Sequence, residues 1–403
     1  MTSYSGDKLR ILAAIAEVFR PYTPIDDIDL FAGRVNEVAE VLGTVYERGR
    51  HVVIHGDRGV GKTSLANVME RLLVRRADGQ EEARVLVVKA ACDSTDNFAS
   101  VWRRVFNGIA LTRDIRRTGF RAEPAEEQLD LAELLPEILR PADIVSAART
   151  LGRTVVILDE FDRLQGSETA RAFADTLKAL SDADADMTVV IVGVGRSVTE
   201  LIGEHESVER CLKQVRIPRM SNAEAEAIIA TGLERAGMAI NDDAKERIIR
   251  LSQGFPHYTH LLAKNAAEKA LSSDRTEIEM ADVEGAIAVA LEQAAESVKE
   301  TYRRAVTPQR RQSLFDNVLL ACALAAEAGG GTFGSTDVRE ALERITGQRM
   351  ELTRFSYNLG KLCSVERGPV LDRLDYPGRP RYRFRNPLLQ PYIVLQGHSR
   401  GVI

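Results

Sequence analysis

Short apolar runs alternate with helical patterns between about residues 30 and 218. The runs are rich in β-branched residues and are not interrupted by polar positions, which is typical of strands buried on both faces. Strands and helices in alternation predict an α/β fold, with a parallel sheet and helices on both faces. The five predicted strands are residues 51–55, 85–88, 154–158, 188–192 and a weaker run at 214–217.

The pattern becomes almost entirely helical between Ser221 and Thr307. Ser221 with Glu224 three residues later is a capping-box signature for the start of a helix. Apolar clusters follow at helical spacing, and Pro308 ends the block. These features predict an all-helical lid domain over residues 219–307, after a sheet domain over 1–218 whose first 29 residues form a helical lead-in.

The last part of the chain predicts three helices followed by a hairpin. Helical patterns cover residues 314–326 and 353–362, and Ser335–Asp337 are expected to cap a helix between them. Two short segments, 370–371 and 382–384, flank a Pro-Gly-Arg-Pro turn and suit two strands. Three helices and then a hairpin predict a winged-helix domain over residues 308–403.

Composition narrows the class of protein. The 403 residues carry 54 Lys and Arg against 59 Asp and Glu, a formal net charge of −5, which excludes a globally basic nucleic-acid coat protein. We see no apolar stretch long enough to cross a membrane and no secretory leader. The four cysteines are far apart, which argues against a disulfide framework or a cysteine-bound zinc and favours a cytoplasmic protein.

A phosphate-binding motif follows the first predicted strand. Residues 56–63 match GxxxxGK[ST] and lead directly into a helical pattern. Backbone N–H groups of such a loop and the start of the helix surround a phosphate, while the lysine reaches the β- and γ-phosphates and the Thr63 hydroxyl binds Mg²⁺. The nucleotide-binding residues predicted here are Gly56, Asp57, Arg58, Gly59, Val60, Gly61, Lys62, Thr63 and Ser64.

An acidic pair, Asp159 and Glu160, follows the third predicted strand. The carboxyl ends of strands are where open α/β sheets bind ligands. Asp159 is therefore a candidate for the Mg²⁺ shell, and Glu160 for orienting or deprotonating an attacking water. Together with the loop, this pair predicts an enzyme that binds ATP or GTP with Mg²⁺ and hydrolyses it.

Three segments resemble origin-recognition-type AAA+ ATPases and STAND ATPases. Residues 30–37 resemble their F-x-GR-x-x-E segment, residues 59–66 their phosphate loop, and residues 254–257 the GxP motif of their lid. The resemblance covers roughly residues 25–275 and extends more loosely to a C-terminal winged helix. It implies an AAA+ P-loop ATPase with ATP as the nucleotide.

The resemblance also implies further roles. Phe31 and Arg34 match the segment beside the adenine. His257 stands where many members have a sensor arginine, and it is either a weaker contact to the γ-phosphate or a lid histidine with a local partner. The first sensor would be Arg196 or Ser197, between which the sequence does not choose. Arg210 lies near the place of the arginine finger that completes a neighbouring subunit's site, and the alternative is an ordinary surface arginine. A finger would imply a nucleotide-dependent homo-oligomer.

A local basic region lies near the C-terminal end of the sequence. Residues 351–403 hold nine Lys or Arg against four acids. The third helix presents types that reach bases or phosphates, and arginines alternate along the proposed wing. A second basic cluster, Arg113, Arg116, Arg117 and Arg121, is followed by acids and is equally well a solvated surface. The predicted contacts to double-stranded DNA are Arg354, Lys361, Arg379, Arg381 and Arg383.

Two functions remain open on the sequence. The first is an AAA+ protein whose nucleotide state controls DNA binding, or assembly on DNA, through the winged helix. The alternative is a STAND-type ATP/ADP switch that acts on a protein partner in signalling or defence. A weaker third hypothesis is an AAA+ regulator of transposition or repair that forms filaments on DNA.

Overall fold

The computed structural model describes residues 6–78, 85–115, 125–195, 201, 206–307, 314–374 and 380–403. The chain forms two compact units. The first, called the helical unit, contains residues Met1–Pro24, Arg58–Gly61 and Arg219–Ile403. The second, called the sheet unit, contains Ile25–Asp57 and Lys62–Pro218.

The sheet unit is built on five parallel strands in the order β2-β5-β6-β1-β7. All five predicted strands form, and the central residues of β1, β5 and β6 are fully buried, as their uninterrupted apolar sequences require. These strands are β1 (His51–Gly56), β2 (Leu86–Ala91), β5 (Thr154–Asp159), β6 (Met187–Val194) and β7 (Leu212–Arg216).

Helices cover this sheet, and aromatic side chains fill the core on one side. Trp102 stacks on Phe106, and both Phe98 and Phe161 meet the ring of Phe173 edge-on. The helices are α2 (Val35–Val45), α3 (Lys62–Asp78), α4 (Phe98–Phe106), α5 (Pro141–Leu151), α6 (Ser167–Asp182) and α7 (Glu206–Glu209).

One pair of strands in the sheet unit was not predicted from the sequence. Strands β3 (Ala110–Ile115) and β4 (Ala125–Asp130) pair antiparallel outside the main sheet. Their sequences, ALTRDI and AEEQLD, are mostly polar and lack the apolar alternation that marks a half-buried strand. Arg113 lies on β3, whereas Arg116, Arg117 and Arg121 lie outside the described residues.

The helical unit begins with α1 (Gly6–Val18) and continues after residue 219. The predicted capping box is present, because the backbone N–H of Ser221 donates to Glu224 Oε2 at 2.8 Å and Ser221 Oγ accepts from the N–H of Glu224. The helices are α8 (Asn222–Ala236), α9 (Asp242–Ser252), α10 (Pro256–Ser272), α11 (Met280–Gln293) and α12 (Glu296–Val306), and a short parallel pair joins β8 (Ala239–Ile240) to β9 (Glu277–Ile278).

The C-terminal part of the helical unit contains the three helices and the two hairpin strands expected from the sequence, together with two further elements. The predicted parts are α13 (Phe315–Ala328), α14 (Ser335–Thr346), α15 (Leu352–Leu362), β11 (Leu371–Leu374) and β12 (Arg381–Phe384). The added parts are β10 (Thr332–Gly334), which makes the sheet three-stranded in the order β10-β12-β11, and α16 (Leu389–Ser399). The residue that caps α14 is Gly334, whose N–H donates to Asp337 Oδ2 at 2.8 Å.

The predicted boundaries between the domains stay predictions. The lid and the winged helix are predicted as separate domains, and both sequences lie in the helical unit. The described helices include none with the length and apolar character needed to cross a bilayer.

Candidate nucleotide site

The predicted phosphate loop joins the end of β1 to the start of α3. Gly59 and Gly61 have φ angles of +85° and +95°, in the left-handed region that favours glycine. Val60 between them is buried, and Lys62 is the first residue of α3. The sequence folds this way because the two glycines allow the chain to turn within a few residues from a buried strand into a helix.

The Lys62 side chain crosses back over the loop. Its Nζ atom donates to the carbonyl oxygens of Gly56 at 3.1 Å and Asp57 at 2.8 Å. Only 8% of the residue is exposed. A buried ammonium held by main-chain carbonyls at the start of a helix suits the binding of an anion at this point.

Two oxygen ligands of the type that Mg²⁺ prefers lie together beside the loop. The Thr63 hydroxyl is 3.4 Å from Asp159 Oδ1, and the same carboxylate oxygen accepts from the N–H of Glu160 at 2.9 Å. Within the described ranges, no three His, Cys, Asp or Glu side chains are grouped in a way that could hold a metal ion. A hydroxyl and a carboxylate fit Mg²⁺, which typically takes one or two protein oxygens and fills its shell with phosphate and water.

Glu160 begins the segment after β5 in an unusual backbone conformation. Its φ is +54°, a strained value for a residue other than glycine, and such residues cluster at functional sites. Its carboxylate is half exposed and pairs with Arg163 at 2.6 Å. The proposed water-activating group is therefore paired with a cation in this conformation.

One charged residue of the site was missed in the sequence analysis. Lys89 on β2 places Nζ 3.3 Å from Asp159 Oδ2, and it also donates to Asn67 Oδ1 on α3. The available signal was a single charge inside the apolar strand sequence LVVKAA. This charge does not by itself identify Asp159 as the partner of Lys89, because the sequence does not tell that β5 lies next to β2 in the sheet.

The residues predicted beside the adenine are held within the sheet unit. Arg34 is buried, has φ +58°, and donates to the carbonyl oxygen of Pro218 and to Glu37 Oε1. Phe31 ends a short 3-10 helix, and Ser64 Oγ accepts from the N–H of Ile25 at 3.0 Å. Their contact with a nucleotide base stays a prediction.

The predicted sensor and finger residues have other partners in this structure. His257, in the helical unit, makes a hydrogen bond from Nδ1 to the carbonyl oxygen of Pro21 at 2.6 Å. Burial lowers the pKa of His257 and favours its neutral form. Arg210 is largely exposed and pairs with Asp182. Arg196 and Ser197 lie outside the described residues.

Residues Arg58–Gly61 of the loop belong to the helical unit, and two of them face its other residues. A Cβ atom added at Gly59 would lie 2.6 Å from Leu388 Cδ2, just before α16. A Cβ atom added at Gly61 would lie 3.8 Å from Pro256 Cγ, at the start of α10. The Tyr258 hydroxyl donates to the carbonyl oxygen of Leu388 at 2.9 Å and so ties these two segments together.

The predicted DNA contacts near the C-terminal end are mostly occupied by internal interactions. Arg383 pairs with Asp372 at 3.2 Å, Lys361 with Glu366 at 2.5 Å, and Arg381 donates to the Thr332 carbonyl at 2.9 Å. Arg354 on α15 is exposed, and Arg379 lies outside the described residues. Arg367, counted in the basic region, is buried and contributes no surface charge.

Comparison with solved structures finds chains of similar fold. The Walker-type ATPase PABY2304 of Pyrococcus abyssi is 14% identical with a TM-score of 0.55, over 94% of this chain and 99% of that chain. ORC2 of Aeropyrum pernix, solved as ADPNP–ADP complexes, is 16% identical with a TM-score of 0.49, over 95% of this chain and 98% of that chain. None of the curated proteins matches the sequence.

A family model covers most of the chain. The model described as Novel STAND NTPase 1 matches residues 19–363, which include the loop, Asp159, Glu160, the lid sequence and much of the C-terminal region. The match agrees with the STAND part of the resemblance seen in the sequence. This chain belongs to the novel STAND NTPase 1 family, a group of P-loop NTPases.

Proposed function

We propose that this chain is a nucleotide-dependent switch that binds ATP with Mg²⁺ and hydrolyses it slowly. The observation that carries the proposal is the meeting of Thr63 and Asp159, 3.4 Å apart, beside a glycine-rich loop and Lys62. In P-loop NTPases these groups serve the triphosphate and its metal ion.

The residues of the chain have separate tasks in this proposal. Lys62 and the loop N–H groups bind the β- and γ-phosphates, and Thr63 and Asp159 hold Mg²⁺, which neutralises charge that develops on the phosphate oxygens. Glu160 takes the proton of the attacking water. It can do so only when its carboxylate leaves Arg163, which supports slow hydrolysis in this conformation.

The packing of the loop supports a switch rather than a continuously working motor. Leu388 lies against Gly59 and is tied through its carbonyl to Tyr258 on α10. A ligand shifts the equilibrium between two conformations only when it binds them with different affinities. Phosphates bound by the loop would have such different affinities if they stabilise or destabilise the packing of Leu388 against Gly59. We propose that the two nucleotide states differ in this packing, and that a protein partner recognises the difference.

Binding and hydrolysis can be tested with two pairs of variants. Lys62→Ala is expected to lose ATP binding in calorimetry, whereas Lys178→Ala, a change on α6, should bind like the wild type. Glu160→Gln should bind ATP but release phosphate at least about 100-fold more slowly, the usual loss of a general base. The control Glu168→Gln should hydrolyse normally. Unchanged hydrolysis in Glu160→Gln would overturn the role of Glu160, and absence of nucleotide binding in the wild type would overturn the proposal itself.

DNA binding is a second candidate, favoured by one face of α15. Thr353, Arg354, Ser356 and Tyr357 are all exposed there and are able to reach bases or phosphates. Against it stand the internal partners of Lys361, Arg381 and Arg383. Filter binding of duplex DNA at two salt concentrations distinguishes the candidates: DNA binding requires affinity that falls steeply with salt and weakens in Arg354→Glu. Hydrolysis measured with and without DNA then tells whether the two activities are coupled.

A further inference from the structure

Lys89 is a charged residue at the proposed metal site that has no role in the function described so far. In the parallel pairing of β2 with β5, Lys89 is opposite Ile157 and Ala91 is opposite Asp159. Residues two apart on a strand share a face, so Lys89 and Asp159 project from the same face of the sheet. The strand register therefore brings an ammonium to the carboxylate proposed to hold Mg²⁺.

The interaction between Lys89 and Asp159 is shielded from solvent. The two atoms, Nζ and Oδ2, are 3.3 Å apart, and the side chains are 18% and 6% exposed. Screening by water and salt is weaker at such a place than at the surface. A buried carboxylate without a charged partner would be costly, and Lys89 is such a partner.

The carboxylate of Asp159 is divided between two sets of neighbours. Oδ1 faces the Thr63 hydroxyl and the N–H of Glu160, which is the side of the phosphate loop. Oδ2 faces Lys89, whose ammonium is also held by Asn67 on α3. Lys89 thus connects the helix that follows the loop to the strand that ends at Asp159, and it holds the carboxylate in one orientation.

We propose that Lys89 is the counter-charge of Asp159 when no metal ion is bound, and that it thereby sets how much Mg²⁺ the nucleotide site requires. This inference rests on the proposed function, since it assigns Asp159 to the Mg²⁺ shell. With Lys89 present, a metal ion enters a site whose carboxylate is already neutralised and whose neighbour repels it. Both effects oppose metal binding, so removal of the Lys89 charge makes Mg²⁺ bind more tightly.

The test measures the Mg²⁺ dependence of nucleotide binding rather than hydrolysis. Binding of the non-hydrolysable analogue AMP-PNP is followed by calorimetry at free Mg²⁺ concentrations from zero, in EDTA, to saturation. In Lys89→Met, the Mg²⁺ concentration that gives half of the full gain in affinity should be about tenfold lower than in the wild type, because one adjacent charge typically shifts an ionic equilibrium by a factor of ten or more. Lys89→Arg, which keeps the charge, should stay close to the wild type.

Two further variants separate charge from structure. Lys89→Gln keeps a hydrogen-bond donor near Asp159 without the charge, and it should show the same lower Mg²⁺ requirement even where Lys89→Met folds poorly. Lys213→Met removes another paired lysine of the same sheet, which contacts Glu40 at 2.6 Å. Lys213 on β7 is opposite Val52, near the start of β1. The phosphate loop follows the other end of β1, so Lys213 is remote from the loop. It should not change the Mg²⁺ requirement.

A second measurement follows the protein without nucleotide. In EDTA, Lys89→Met should unfold at a lower temperature than the wild type, because Asp159 is then buried without a counter-charge. Saturating Mg²⁺ and AMP-PNP should remove most of that difference, whereas a purely structural salt bridge would leave it in place.

The outcomes distinguish this inference from the proposed function. An unchanged or higher Mg²⁺ requirement in both Lys89→Met and Lys89→Gln, with normal nucleotide binding by the wild type, overturns the role of Lys89 alone. A wild-type protein that binds no AMP-PNP at any Mg²⁺ concentration overturns the proposed function, and the role of Lys89 with it.

Discussion

His51 shows how strongly a single side chain can depend on its surroundings in this protein. It is the first residue of β1 and is fully buried, with Nε2 hydrogen-bonded to the carbonyl oxygen of Leu177 at 2.9 Å. The N–H of Val189 donates to Nδ1 at 3.1 Å. The ring is therefore neutral, with its proton on Nε2, and it joins α6 to β6 across the start of β1.

The free energy of unfolding should decrease in mild acid because of His51. Burial lowers the pKa of His51 to about 4, although the hydrogen bond to Leu177 opposes the shift. The unfolded chain takes up a proton near pH 6.5, while the folded chain does not until about pH 4. The free energy of unfolding therefore decreases as the pH falls from 6.5 to 4, by up to about 1.4 kcal/mol per pH unit for this one group.

Urea unfolding at pH 7.5, 5.5 and 4.5 tests this expectation. His51→Gln should be less stable than the wild type at pH 7.5, but its stability should fall less between pH 6.5 and 4. The remaining slope is expected to include His260, whose pKa burial also lowers to about 4. Parallel pH dependence in the wild type and His51→Gln would show that His51 does not bind its proton differently in the two states.

The residues of the site differ in how far the sequence alone could identify them. Lys62 and Thr63 could be predicted because a phosphate loop is one contiguous segment. Its glycines, lysine and threonine stand at fixed positions that are typical of phosphate binding. Asp159 and Glu160 are recognisable because they end a buried strand. Lys89 joins them only through the register of β2 against β5, which no local spacing encodes.

At the scale of elements, Arg367 stabilises the C-terminal end of α12. Its guanidinium donates to the carbonyl oxygens of Ala305 at 3.0 Å and Thr307 at 2.6 Å, and it lies 3.8 Å from the centre of the Phe315 ring. These carbonyls belong to the last turn and the cap of the helix, where a cation is favourable. A side chain 60 residues away in sequence thus completes a helix terminus.

Replacing Arg367 should destabilise the helical unit. Arg367→Met removes the donors from the carbonyls of Ala305 and Thr307, and each hydrogen bond from a charged group is worth about 1.5–3 kcal/mol. We expect a loss of about 2–4 kcal/mol in the free energy of unfolding, measured by urea denaturation. Arg373→Met, on the exposed side of β11, should change stability by less than about 0.5 kcal/mol. Equal effects of the two substitutions would contradict the role given to Arg367.

Elements with a strong pattern were predicted, and those without one were missed. The five sheet strands and the helices after Ser221 have clear apolar periodicity. Strands β3 and β4 are mostly polar, and β10 has only three residues. None of these three strands therefore has an apolar periodicity that could predict it. The three residues of β10 form a strand only because β12 lies next to them, with Phe333 opposite Tyr382.

At the scale of the whole molecule, the contact of Leu388 with Gly59 is expected to control nucleotide exchange. Leu388→Ala removes most of the side chain that lies on the loop, so we expect bound ADP to leave several-fold faster. Stopped-flow displacement of a fluorescent ADP measures the rate, with Leu352→Ala, an exposed change on α15, as the control. An unchanged release rate in Leu388→Ala would show that this packing does not restrain the nucleotide.

The sequence by itself determined the local chemistry of this protein. A loop, a strand end and a capping box are each encoded within a few consecutive residues, so their composition and spacing are sufficient to predict them. The tertiary structure decided which of these segments meet. It placed Lys89 beside Asp159, Leu388 against Gly59 and Arg367 at the end of α12, because such contacts depend on strand register and on packing between residues that are distant in sequence. It also showed that much of the basic region near the C-terminal end serves internal ion pairs and hydrogen bonds, since charge counted along a sequence does not tell which charges pair after folding.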